Sequence, residues 1–169
     1  MRLIILGAGG FGRTVADLAR QSGRYSVVAH LDDKPGKDVL QSLDSYRQWH
    51  DEPTEMFPAF GNNALRLEWC KKVQEAGFEL PVIVHHSAYV SPSAQIAPGT
   101  VVLPMAVVNT DTIVKTGCIV NCGALIDHGC IIEEGCHICL GAVVKAENRI
   151  PSCSKIEAGQ VVENRTFPL

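Results

Sequence analysis

The first residues whose types and spacing suit chemistry lie near the N-terminus. Gly7-Ala8-Gly9-Gly10-Phe11-Gly12 follows an apolar run, and Asp32 and Asp33 come about twenty residues later. Glycines at a strand-to-helix junction let backbone N–H groups approach a phosphate, and an acid after the next strand suits a ribose. The spacing reads as a site for the diphosphate and ribose of a nucleotide-sugar. NAD-dependent redox chemistry is disfavoured, because about eighty residues cannot supply both mononucleotide halves and a substrate domain. A tight turn without a ligand is the remaining alternative.

Seven cysteines are an odd number without the spacing of a secreted disulfide framework. Cys136-x-x-Cys139 and Cys118-x-x-x-Cys122 raise a metal site, but the repeat described next gives most of these thiols structural places, so no metal is expected. The default is reduced, buried cysteine acting as a small apolar side chain. A net charge of −3 with no basic run argues against nucleic acid or an anionic membrane as partner. The longest apolar stretches are far too short to span a bilayer. The N-terminal apolar run ends in glycines after a few residues and reads as a first strand, not a signal peptide, so a cytoplasmic protein is expected.

Periodicity decides the architecture. From Val84 to Val162 an aliphatic β-branched residue recurs every six positions, fourteen times in succession: Val84, Val90, Ile96, Val102 and on to Ile150, Ile156 and Val162. Four positions after most of them stands a small or polar residue, such as Ala106, Thr112, Cys118, Ala124, Cys130 or Cys136, often with a glycine before it. A period of six fits neither a helix nor one long strand. It fits a short strand and a tight turn per unit, with the aliphatic residue inside, the small one in the corner and glycine supplying positive φ. Three units close a triangular coil of eighteen residues, so Cys118 lies over Cys136 and both over Ser154. Fourteen units make between four and five coils, whose open ends need covering. The Asn164–Leu169 tail is expected to cap one end or meet a neighbour.

The residues before the repeat alternate strands and helices, which implies a parallel sheet. Strands are expected at 2–6, 26–31, 56–60 and 81–84, with one helix from about 13 to 21 and another after Gly61-Asn62-Asn63 that carries Leu65, Trp69, Cys70 and Val73 and stops at Gly77. Pro58 marks an edge or a bulge. The expected organisation is an α/β Rossmann-like nucleotide-sugar-binding domain, residues 1–83, followed by a parallel β-helix of hexapeptide repeats, residues 84–169.

Six motifs in order, Gly7-Ala-Gly-Gly-Phe-Gly12, Leu31-Asp-Asp33, Phe60-Gly-Asn-Asn-Ala-Leu-Arg66, His85-His-Ser-Ala-Tyr-Val-Ser-Pro-Ser-Ala94, Asn121 with Ile126-Asp-His-Gly-Cys130, and His137-Ile-Cys-Leu-Gly-Ala142, cover nearly the whole chain. Together they resemble the hexapeptide-repeat sugar acetyltransferases of the PglD/NeuD type. These are the UDP-4-amino-sugar N-acetyltransferases and the sialic acid O-acetyltransferases. The resemblance implies left-handed coils, a homotrimer with active sites between neighbouring β-helices, and acetyl-CoA as co-substrate. It implies His128 as catalytic base, with Asp127 and Asn121 beside it in the catalytic set, and His137, Ala146 and Ala158 as coenzyme contacts. Gly9, Gly10, Phe11, Asp32, Asp33 and Gly61 fall on nucleotide-site positions.

A histidine of ordinary pKa, about 6.5, suits the task of taking the proton from an attacking amine or hydroxyl near neutral pH. Three features depart from the family. Gly129 stands where an acid usually follows the base, so the orienting acid is Asp127, another side chain, or absent. Gly10-Phe11-Gly12 replaces Gly-His-Gly. The chain ends about forty residues after His128, earlier than familiar members. Lys145, Arg149 and Lys155 stand as candidates for the coenzyme's phosphates, with solvated surface charge as the plainer role. Transfer to the amine of a nucleotide-activated sugar is the expected activity, with O-acetylation of sialic-acid-like sugars or an idle nucleotide-sugar-binding homologue as rivals.

Overall fold

The computed structural model describes residues 1–169, which divide into two compact units, Met1–Ile83 and Val84–Leu169.

In the first unit the order is β1 (Arg2–Leu6), α1 (Gly10–Gln21), β2 (Val27–Leu31), β3 (Val39–Gln41), a 3-10 helix (Leu43–Gln48), β4 (Thr54–Pro58) and α2 (Asn63–Glu75). The four strands form one sheet in the order β3-β2-β1-β4, with every pairing parallel. The central strand β1 is buried along its whole length, as a parallel strand covered on both faces must be. Helix α1 buries Val15, Ala16, Leu18 and Ala19, a stripe at helical spacing. Helix α2 begins at Asn62, whose side-chain oxygen accepts the Leu65 N–H at 2.9 Å, a cap on the otherwise open first turn. Pro58 ends β4, an edge strand, where its missing N–H costs no ladder bond.

Three expected boundaries are corrected. Helix α1 starts at Gly10, three residues before the expected position, because its first-turn glycines adopt helical angles despite their low propensity. The third strand covers 54–58, not 56–60. The fourth strand of the sheet is β3, not residues 81–84; only Ile83–Val84 is extended, and it joins the repeat. Strand β3 is short and largely exposed, so it carries no apolar pattern to reveal it.

The second unit contains fourteen strands, β5 to β18, each two residues long and each starting six residues after the one before, from Ile83–Val84 to Val161–Val162. They stack as three parallel sheets. The first face holds β5, β8, β11, β14 and β17, the second β6, β9, β12, β15 and β18, and the third β7, β10, β13 and β16. The register is eighteen residues throughout, as in Ile119↔His137 and Val120↔Ile138. This is the left-handed β-helix of hexapeptide repeats. Its core is the inward aliphatic series with the corner residues Ala106, Cys118, Ala124, Cys130, Cys136 and Ala142. Val84 departs from the series, being 42% exposed, since the first coil has no preceding coil to cover it.

The corner residues also bond the coils together. Thr100 and Thr112 donate their hydroxyls to the carbonyls of Lys115 and Asp127, at 3.0 and 2.8 Å. Cys118, Cys130 and Cys136 donate their thiols to Glu133, Lys145 and Pro151 at 3.0–3.3 Å, and Asn148 continues the series to Glu163. Each bond spans fifteen residues and satisfies a turn carbonyl that faces the coil before it. The tail continues the pairing: the Arg149 N–H donates to the Phe167 carbonyl, and the Phe167 N–H to Asn148 Oδ1.

From Gly99 to Arg165 a left-handed backbone residue recurs every six positions. Seven are glycine; Met105, Asp111, Glu147, Cys153 and Arg165 are not. A side chain in that region costs about 1–2 kcal/mol. Met105 has φ +60° and is 68% exposed, so Met105→Gly relieves strain without opening the core. Urea unfolding is expected to show the variant more stable by about 0.5–1 kcal/mol; an equal or lower midpoint refutes the strain argument.

Candidate active site

The glycine loop of the first unit is built by close approach. A Cβ on Gly12 would lie 2.1 Å from the Gly7 carbonyl oxygen, so only glycine lets α1 begin against the end of β1. Gly9 and Gly10 are exposed with open space where a side chain would stand, and so is Gly61. Gly9 caps α1 without a side chain, and the first turn carries no acid. The first N–H groups of the twelve-residue helix and its positive dipole end are thus left for an anion. The cleft beside them, about 420 Å³, is lined by Ala8, Gly9, Arg13, Asp32, Lys34 and Lys37 among others.

Asp32 is spent partly on the loop itself. Its two oxygens accept the Ala8 N–H at 2.7 Å and the Lys34 N–H at 2.8 Å, and the Ala8 N–H is the main cause of a carboxyl pKa held below its ordinary value. Asp33 accepts the Leu43 N–H at 3.1 Å and so fixes the following segment. Phe11 is half-buried. The three cations Arg13, Lys34 and Lys37 were missed in the sequence, where they are scattered; the fold gathers them around one cleft.

In the second unit His128 lies in the turn between the second and third faces, after β12 (Leu125–Ile126). It is exposed, and its imidazole has no hydrogen-bond partner within the chain. Asp127 does not orient that ring: its Oδ1 accepts the backbone N–H of His128 at 2.7 Å and the Asn109 side-chain amide at 3.2 Å. Gly129 is a left-handed corner at φ +64°. His128 lines a cleft of about 350 Å³ with Ala146, Glu147, Asn164 and Arg165.

The other expected site residues gather elsewhere. Asn121 follows β11 (Ile119–Val120), and its side-chain nitrogen lies 3.0 Å from Nε2 of His137 on β14 (His137–Ile138). The amide donates there, which makes Nε2 the acceptor and places the ring proton on Nδ1. Ala158, exposed, follows β17 of the same face. The chain therefore presents Asn121, His137 and Ala158 on and after its first face, and His128, Asp127 and Ala146 at the turn after its second. Asn121 meets His137, not His128.

The three cations considered for phosphate binding all have carboxylate partners: Lys145 with Glu163, Arg149 with Glu133 and Lys155 with Glu157. None of the seven cysteines forms a disulfide, and burial pushes the Cys130 and Cys139 thiols up, so both stay protonated and unreactive at neutral pH. No three His, Cys, Asp or Glu side chains are placed to share a metal ion, and no helix is long and apolar enough to cross a membrane.

The Asp32 contacts have a pH signature. A depressed native pKa contributes stability that is present above the ordinary value of 3.8 and is lost as pH falls through the native value. Wild type is expected to exceed Asp32→Asn in unfolding midpoint by a constant margin above about pH 5, with the margin closing below pH 4. A margin independent of pH refutes the role of the ionised carboxylate.

Residues 2–73 match the family described as the PglD N-terminal domain. Over 97% of its length the chain is similar to the acetyltransferase domain of PglB from Neisseria gonorrhoeae FA1090, with 35% identity, a TM-score of 0.92 and 83% of that chain covered. The same domain solved in complex with acetyl coenzyme A gives 36% identity and a TM-score of 0.94, with 97% of this chain and 82% of that one covered. PerB from Caulobacter crescentus, in complex with CoA and GDP-perosamine, is similar over 100% of this chain and 92% of its own, at 26% identity and a TM-score of 0.86. A shared fold with this identity over nearly the whole chain, built around a glycine loop and a hexapeptide β-helix, makes the protein a member of the PglD-type family of sugar acetyltransferases.

Proposed function

We propose that the protein transfers the acetyl group of acetyl-CoA to the amino group of a nucleotide-activated sugar, with His128 as general base. The observation that carries this reading is the exposed His128 imidazole, free of internal partners, beside an open cleft at a β-helix turn. Similarity to a domain that binds acetyl coenzyme A and to a protein that binds CoA with GDP-perosamine supports the two co-substrates. The nucleotide belongs to the glycine-loop cleft. Its diphosphate faces the first N–H groups of α1 with Arg13, Lys34 and Lys37, and Gly9, Gly10, Phe11, Asp32, Asp33 and Gly61 surround it.

The acceptor amine attacks the thioester carbonyl carbon. As the C–N bond forms, His128 takes a proton from that nitrogen; the tetrahedral intermediate then collapses, the C–S bond breaks, and the departing thiolate of coenzyme A takes the proton back from the His128 imidazolium. No acyl-enzyme is needed, in keeping with the buried thiols of Cys130 and Cys139. His137, with Nε2 held by Asn121, and the turn residues Ala146 and Ala158 contact the coenzyme.

The two groups of site residues lie on different parts of one β-helix, so a site that uses both draws them from neighbouring protomers. The second face offers the surface for such assembly. Its outward row is Tyr89, Val107, Leu125, Val143 and Val161, three of them 42–53% exposed, an apolar stripe of the kind that marks subunit contacts. The proposed assembly is a homotrimer acting in the cytoplasm, where seven cysteines outside any disulfide stay reduced.

His128→Ala is expected to lower turnover by about 100-fold or more, measured as thiol release from acetyl-CoA with a nucleotide-linked amino-sugar, while sedimentation shows an unchanged assembly. Undiminished turnover would remove His128 from the mechanism. Asp32→Ala is expected to weaken binding of the sugar nucleotide in calorimetry and to leave acetyl-CoA affinity alone; equal nucleotide affinity would overturn the assignment of the glycine-loop cleft.

A further inference from the structure

We propose that Glu147 is the positioning residue for His128, its carboxylate orienting the imidazole from the next coil of the β-helix; the inference rests on His128 being the base. An imidazole that takes a proton at one nitrogen works best when its other N–H is held by an acceptor, which fixes the tautomer and stabilises the imidazolium. Nothing within the chain holds the His128 ring. Three carboxylates surround its turn. Asp127 is occupied by the His128 backbone N–H and by Asn109. Asp111 sits at the corresponding corner one coil earlier and does not line the cleft beside His128. Glu147 does.

Four observations place Glu147 there. It occupies the left-handed corner one coil after Gly129, at φ +57°. Its backbone N–H donates to the His128 carbonyl at 3.1 Å. Its side chain folds back over Gly129, with Cγ 3.6 Å from the place a Gly129 Cβ would take. Its Oε2 is pinned by Arg165 Nε at 2.6 Å, while Oε1 has no partner within the chain. Gly129 and Glu147 belong together, because a Cβ at 129 would stand in ordinary van der Waals contact with the Glu147 side chain, so the acid one coil on lies beside the place a side chain at 129 would take.

The charged groups facing the ring are then Asp127 on its own turn and Glu147 with Arg165 from the coils above; Lys145 is neutralised by Glu163. The test compares pH profiles of kcat and kcat/KM for wild type, Glu147→Gln, Asp111→Asn, Glu147→Ala and the double variant Gly129→Asp/Glu147→Ala, with His128→Ala as reference. Glu147→Gln is expected to lower kcat by about 10- to 100-fold with both KM values within about twofold. The acid limb of kcat/KM should move to lower pH, since removing a nearby anion lowers a histidine pKa. A carboxylate returned at position 129, where aspartate tolerates positive φ, is expected to recover most of the activity lost in Glu147→Ala. A purely structural role through Arg165 predicts neither the shifted limb nor the rescue. Wild-type kcat and limb in Glu147→Gln, or the loss appearing instead in Asp111→Asn, would overturn the inference. An active His128→Ala would instead defeat the assignment of the base.

Discussion

Placement in the second unit follows largely from one backbone constraint, a left-handed residue once every six positions from Gly99 to Arg165. The corner turns a two-residue strand through the angle that brings the chain back over itself after three units. The eighteen-residue register then follows without further instruction. From β6 onward the second residue of each strand packs in the core, and most of the first residues are the more exposed of the pair, Val101 and Ile119 being buried as well. Steric cost makes glycine the natural occupant of the corner, and seven of the twelve corners have it. The five that do not are exceptions worth examining individually, and Glu147 is one.

The same geometry explains why the chain carries so many cysteines. A corner has room for a small side chain and presents a carbonyl of the following coil to it. Threonine, cysteine and asparagine all answer both demands, filling the space and donating a hydrogen bond. Where the donor is a thiol the bond is weak, and the apolar character of sulfur compensates in a core closed off from water. Turn residues just outside the corner are free of these duties. There, on a scaffold whose spacing is fixed by the coil, His128 projects to solvent at a defined position.

The first unit solves a different problem. In the proposed reading it recognises an anion with backbone groups, so its decisive residues are those that permit close approach. Gly12 allows the helix to start against the strand end, and Asp32 holds the loop through two N–H groups. The specificity of such a site lies in shape and in the cations around it, which come from α1 and from the segment after β2. A carboxylate with both oxygens on loop N–H groups makes the loop rigid before ligand arrives, which lowers the ordering cost of binding.

By itself the sequence determined the architecture of the β-helix, because a six-residue period of β-branched residues with small corners has one economical packing. It also determined the glycine loop, whose spacing reflects local backbone geometry, and the helices and the buried strands with an apolar pattern. It could not reveal β3, which is short, exposed and held by edge pairing alone, nor that Ile83–Val84 leaves the first sheet for the β-helix. Only the tertiary structure decided which side chains meet. Asn121 and His137 are sixteen residues apart and bonded, while Asp127 turns its carboxylate to the backbone although it adjoins His128. Glu147 lies over Gly129 because stacking sets neighbours eighteen residues apart. Contacts of that kind depend on the coil closing, and on where each side chain points once it has closed, so no local pattern of residues records them.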